Sequence, residues 1–179
     1  MPVSQEPTAP RTPRRVVTGH DANGKSVVLS DGAPPQHHPM SGREVGADFF
    51  EMWSTTETVP TLTSVEAREP NERAFTIMPV AGHLLRIIDI YPPKDGGKRT
   101  VMHRTKTVDY VVVIEGEIVL VLDDSEVTLK KGEVVIQRGT DHAWENRTDK
   151  TTRMAFFHID AVFSPELLAK LPKPLELMR

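Results

Sequence analysis

His103, Asp109 and His142 are the residues of this chain whose types and spacing could do chemistry. Two imidazoles and a carboxylate form a workable ligand set for one divalent ion such as iron, manganese, nickel or zinc. Three protein ligands would leave positions open for water or substrate, so the ion could polarise a carbonyl or carboxylate, or activate oxygen. Without a metal, the same groups could move protons. The two histidines would titrate near neutrality, and desolvation inside a fold would push Asp109 upward. Such a set suits dehydration, isomerisation or cyclisation of a carbonyl compound. A third reading is purely structural, with Asp109 a hydrogen-bonded core acid and His142 a capped core histidine. The metal-assisted reading is preferred here, with the other two kept open.

To serve any of these ends the three residues must be held by rigid elements. Residues 108–114, 117–122, 126–129 and 133–136 read as short strands, separated by Glu115-Gly116, Asp123-Asp124-Ser125 and Lys130-Lys131-Gly132. Strands this brief and evenly spaced argue for antiparallel pairing, because the gaps are too short for helical crossovers. Residues 142–146 and 153–160 add two more, and 84–91 another, stopped by Pro92-Pro93. Upstream, β-rich runs at 14–18 and 26–30 flank Asn23-Gly24, a pair that tolerates the positive φ of a tight hairpin. Residues 31–42 carry no period and read as loop, with His37 and His38 pointing to opposite sides and solvated. Residues 55–73 read as connection. Ser164 followed by Pro165 opens the one convincing helix.

The expected architecture is all-β: a single antiparallel β-barrel of six to eight strands, with an N-terminal strand arm and a short C-terminal helix. Its parts are a disordered arm at 1–13, strands and loops at 14–99 packing on the barrel or a partner subunit, a core at 100–162, and a helix and tail at 163–179. A length of 179 residues suits one domain. With 22 basic and 25 acidic residues, no overall field favours nucleic acid or an acidic membrane, and no DNA-binding helix pair is evident. The expected partner is a small molecule. The absence of cysteine excludes disulfides, thiol nucleophiles and iron–sulfur ligation. The start lacks the apolar stretch of a leader, and the longest apolar runs fall short of the ~20 residues of a membrane helix, so a cytoplasmic location is expected.

At this point the residues resemble the cupin superfamily. In its first motif, Gly116 matches the closing glycine, Asp109 the acidic ligand, Thr105 the second histidine and His103 the first. In its second, Gly132 and Gly139 match the glycines, His142 the third histidine and Asn146 the closing asparagine. The resemblance covers residues 101–161 and implies a jelly-roll-like barrel, a metal held by His103, Asp109 and His142, and dioxygenase, decarboxylase or isomerase chemistry. Three departures matter: Thr105 stands for a histidine, Asp109 is shorter than glutamate, and Gln137-Arg138-Gly139 replaces a proline-containing turn.

Four further residues draw attention. Arg138, on the turn before His142, and Arg86, a lone cation among apolar neighbours, are possible anion clamps. Tyr110 alternates away from Asp109 and reads as outer packing. His158 lies in a run that is apolar on both faces, so its direction is open and a partly exposed or interface role is preferred. Phe49, Phe50 and Trp53 read as an anchor for the N-terminal part, and together with the β-rich arm they suggest a homodimer.

Overall fold

The computed structural model describes residues 11–40, 46–63, 74–76 and 81–172. The expected arm at 1–13 therefore lies mostly outside the described residues. β1 (Arg15–His20) and β2 (Ser26–Gly32) form the expected hairpin, with Gly24 at φ 76° and the Asp21 carboxylate accepting from the backbone N–H groups of Asn23 and Lys25. The main body begins with β3 (Gln36–Pro39), β4 (Ala47–Thr55) and β5 (His83–Ile90). It continues with β6 (Thr107–Glu115), β7 (Glu117–Val121), β8 (Glu126–Lys130) and β9 (Val134–Arg138). β10 (Ala143–Glu145), β11 (Thr152–Asp160) and helix α1 (Pro165–Lys170) complete it.

The described strands pair antiparallel throughout, as β1-β2, as β10-β7-β8, and as a six-stranded sheet ordered β3-β4-β5-β11-β6-β9. The all-β class thus stands. The strands lie in three sheets, more numerous than the six to eight expected, and no ladder among the described residues joins the three-stranded sheet to the six-stranded one. What joins them is side-chain packing. Phe49, Ile88, Val111, Val113, Met154 and Phe156 from the larger sheet meet Ile118, Leu120, Leu129 and Trp144 from the smaller in one apolar core. Sheets that pack face to face this way hold an inward row of side chains at every second position.

Two strands go beyond the sequence reading. β3 occupies what reads as loop, because a four-residue edge strand needs few paired N–H groups and so tolerates Pro39. β4 is apolar on both faces, Phe49 in one core cluster and Phe50 in another, so the alternation that signals a strand is missing. The anchoring role expected of Phe49 and Phe50 holds: both are buried within this chain. His37 and His38 do point opposite ways, yet neither is simply solvated. His37 Nε2 meets Asp48 Oδ2 at 3.0 Å and stacks on Phe50, while His38 Nε2 meets Gln36 Oε1 at 3.1 Å.

Tight turns aim the strands. Gly116 joins β6 to β7 at φ 86°, and a Cβ there would come within 2.8 Å of Thr152 Oγ1. Gly139, at φ 62°, turns the chain toward His142, and its missing Cβ leaves room for Phe163, whose Cε1 would be only 2.6 Å away. The helix forms as expected, Ser164 accepting from the Leu167 N–H at 3.2 Å.

Candidate active site

Three adjacent strands build the heart of the site in a single row. Register sets His158 of β11 opposite Asp109 of β6, and Asp109 opposite Gln137 of β9. All three side chains are buried. His158 Nδ1–H donates to Asp109 Oδ1 at 2.9 Å, and Thr105 Oγ1 donates to Oδ2 at 3.4 Å. Both carboxylate oxygens are thereby engaged from within the chain.

His103 and His142 come from the loops that flank this row. They face one another through a two-residue bridge, each backbone N–H donating to the other's carbonyl at 2.9 Å, with ring centroids 4.1 Å apart. His103 Nδ1–H donates to the Val101 carbonyl at 2.8 Å, so its lone pair sits on Nε2. His142 Nδ1–H donates to the Thr140 carbonyl at 3.0 Å. The Gln137 amide nitrogen lies 2.7 Å from Nδ1 and 2.9 Å from Nε2 of that ring, so Nε2 is its acceptor. Trp144 and Phe156 continue the wall, Trp144 edge-on to both His142 and Phe156, and Phe156 stacked on His158. The site therefore has a polar rim over an aromatic floor.

Burial sets the protonation states. Desolvation lowers the pKa of His142 to about 4, helped by the neighbouring His103, and desolvation lowers that of His103 as well. Both rings are neutral at pH 7, which corrects the expectation that they titrate near neutrality. Burial pushes the Asp109 carboxyl up, but the hydrogen bond and charge of His158 outweigh it and hold the pKa below the usual value. The expected upward shift is thus reversed, and Asp109 is ionised.

The metal question turns on the donor set. Among the described residues no three His, Cys, Asp or Glu side chains are grouped so as to hold an ion. His103, Asp109 and His142 are neighbours, but Asp109 is turned to His158 and Thr105, and His142 Nε2 to Gln137. As placed, this set does not fit a single divalent cation.

Other residues singled out in the sequence resolve clearly. Arg86 points into the core, and its Nε donates to Glu51 at 2.6 Å with both side chains buried, while Nη2 reaches the Thr76 carbonyl. It is an internal ion pair, flanked by the Phe75 ring at 5.2 Å, rather than a free clamp. Arg138 is exposed and shares its side of β9 with Val134 and Ile136, opposite to the buried Gln137, so it cannot line the interior. Tyr110 faces outward, as expected. Asn146, the motif's closing residue, is structural: it donates to the carbonyls of Ile90 and Lys150.

His158 and Gln137 are the members that sequence reasoning underrated or passed over. For Gln137 the signals conflict, since alternation with Arg138 argues for an inward side chain and alternation with Val134 and Ile136 for an outward one. For His158 none did, because both sides of its strand are apolar.

The architecture agrees with comparisons to known proteins. A family model described as a cupin domain matches residues 88–160. A cupin-domain-containing oxidoreductase, fogC, of Aspergillus ruber is 32% identical over 153 residues, spanning 82% of this chain and 71% of that protein. The chain belongs to the cupin superfamily. This cupin is also 38% identical over 173 residues to phomopsin biosynthesis cluster protein C' of Diaporthe leptostromiformis, covering 90% of this chain and 86% of that one. Among solved structures, the Cupin_2 domain of an XRE family transcriptional regulator from Enterobacter cloacae overlays with a TM-score of 0.37 at 23% identity, over 43% of this cupin and 80% of that chain. Among the described residues, no helix of this cupin is long and apolar enough to cross a membrane.

Proposed function

We propose that this cupin is an enzyme that moves protons on a small organic molecule, with Asp109 as the base. The observation that carries the reading is the buried Asp109–His158 pair: an ionised carboxylate held by an imidazole on the adjacent strand, in a site otherwise lined by neutral rings. A carboxylate so placed can take a proton from carbon next to a carbonyl. His158 steadies the charge and the orientation of Asp109. Neutral His103, half-buried at the rim, can return a proton to a different atom of the same molecule once it has been protonated from solvent. The sum of these two transfers is an isomerisation, with a dehydration resulting where a hydroxyl leaves as water. Gln137 and the Thr140 carbonyl hold His142 in one tautomer.

A metal-assisted redox reaction is the second reading. It is favoured by the names of relatives called cupin-domain-containing oxidoreductases, fogC of Aspergillus ruber and virC of Hypocrea virens. It would need His142 released from Gln137 and Asp109 from His158. The setting of the reaction is inferred from relatives named for biosynthesis clusters, which supports a small metabolite as substrate.

The test is proton exchange. Purified protein is incubated in D2O with a panel of small ketones and β-hydroxy carbonyl compounds, and deuterium gain is followed by NMR. Catalysed exchange that disappears in Asp109→Asn is expected. No exchange with any panel member, together with stoichiometric binding of iron(II), manganese(II), nickel(II) or zinc(II) in calorimetry, would favour the metal reading instead.

A further inference from the structure

The side-chain amide oxygen of Gln137 is buried and has no hydrogen-bond partner among the described residues. The orientation of that amide follows from the backbone. The Thr140 carbonyl accepts from His142 Nδ1–H, which leaves the lone pair on Nε2, and only the amide nitrogen of Gln137 can donate to that lone pair. Oε1 is therefore turned away from His142. β9 is the outer strand of its sheet among the described residues, and on its paired side the residue opposite Gln137 is Asp109, an ionised carboxylate with nothing to donate.

A second acceptor lies close by. His103 gives its Nδ1–H to the Val101 carbonyl, so Nε2 keeps its lone pair, and its ring centroid is 4.1 Å from that of His142. Asp109, Gln137 and His103 thus all offer acceptors, whereas the N–H and O–H groups of His158, Thr105 and His142 are already given to other groups of the chain. Buried acceptors left unpaired are rare in folded proteins, because each forfeits the water it bonded in the unfolded chain. A ligand that brings a donor satisfies them. A bare ketone cannot do so, since its oxygen only accepts; a hydroxyl can.

We propose that Gln137 Oε1 accepts from a hydroxyl of the substrate, so that the substrate class is a hydroxy carbonyl compound. The inference rests on the proton-transfer reading of Asp109 and names what that site takes. Directly opposed residues of antiparallel strands have Cβ atoms about 4.5–5.5 Å apart, so the hydroxyl belongs on the carbon that gives its proton to Asp109 or on the carbon beside it. The rings of Trp144 and Phe156 next to the polar groups suit a conjugated or aryl substituent. In the reaction the C–H electron pair becomes a C=C bond and Asp109 takes the proton. The carbonyl oxygen receives the displaced π pair and takes a proton from protonated His103. The product is an enol, no electrons enter or leave, and the hydroxyl held by Gln137 keeps its hydrogen.

The test compares a hydroxyl with its methyl ether, which keeps the oxygen and loses the donor. Deuterium uptake from D2O and calorimetric binding are measured with α-hydroxyacetophenone, β-hydroxypropiophenone and the methyl ether of each. At least one alcohol should exchange and bind better than its ether by about 100-fold or more, because the ether leaves the acceptor of the site unpaired. Gln137→Leu should bring alcohol and ether to nearly equal values. Gln137→Glu, whose protonated carboxyl can donate to His142 and still accept, should restore part of the preference. Loss of scaffolding alone would lower both compounds and leave their ratio unchanged, so the ratio is the readout. The parent chain decides the matter if Gln137→Leu fails to fold by circular dichroism. Preferred binding of an alcohol without any exchange would remove Asp109 as the base and keep the assignment of Gln137. Ethers that bind as well as their alcohols, a preference unchanged in folded Gln137→Leu, or no binding of either alcohol would each overturn the proposal.

Discussion

The two faces of strands β6, β9 and β11 invert the usual relation between polarity and burial. Inside, His158, Asp109 and Gln137 form a polar row; outside, at the residue next to each along its strand, Phe157, Tyr110 and Ile136 form an apolar one. Burying polar groups costs roughly 1–3 kcal/mol each when their hydrogen bonds are lost, and exposing large apolar groups forgoes a similar gain. A fold optimised for stability alone would reverse the two rows. Their placement on these sides is the arrangement that the proposed chemistry on the inner face requires.

The comparison breaks most readily on the inner face. Asp109→Asn preserves shape and can still accept from His158, yet should lower turnover by about 10²- to 10⁴-fold in a steady-state assay with the fold intact by circular dichroism. Retained turnover would remove the inner row from the chemistry. Glu51→Gln leaves the Arg86 charge buried beside a neutral amide and should cost about 3–5 kcal/mol in urea denaturation. The neighbours Phe156 and Phe157 sharpen the contrast directly. Phe156→Ala, in the core, should cost about 3–5 kcal/mol.

Acidity tests the inner face by another route. His142 has its pKa lowered to about 4 in the fold, against ~6.5 in the unfolded chain, so the unfolded state binds the proton first as pH falls. Its neutral form therefore contributes full stability above about pH 6.5, and this is lost as pH drops toward 4, by on the order of 3 kcal/mol. Urea midpoints measured across that window should fall with pH, and His142→Asn should flatten the slope. The smallest effect is expected outside. Phe157→Ala, at protein concentrations low enough to dissociate any dimer, should change stability by about 1 kcal/mol or less in thermal melts. A loss as large as that of Phe156→Ala would mean that the outer row is packed within one chain.

Much of the scaffold was legible because its signals are local. Asn23-Gly24, Glu115-Gly116 and Ser164-Pro165 each act through the φ angles or the caps of a few residues, and each forms what it specifies. The motif spacing likewise brought out His103, Asp109 and His142 as neighbours. β3 and β4 were not legible, since an edge strand ending in proline and a strand apolar on both sides lack the alternation that sequence reading needs.

Sequence alone determined the antiparallel all-β class, the turns, and which residues lie on the same side of each strand, because these follow from backbone geometry over short distances. Tertiary structure alone decided that His158 pairs with Asp109, that Gln137 grips His142, that Arg86 belongs to Glu51, and that Arg138 turns outward. Register between strands 49 residues apart in the chain sets the first of these, and the burial that follows from it sets the charges. Neither quantity is encoded in any one segment; both exist only once the sheets have packed.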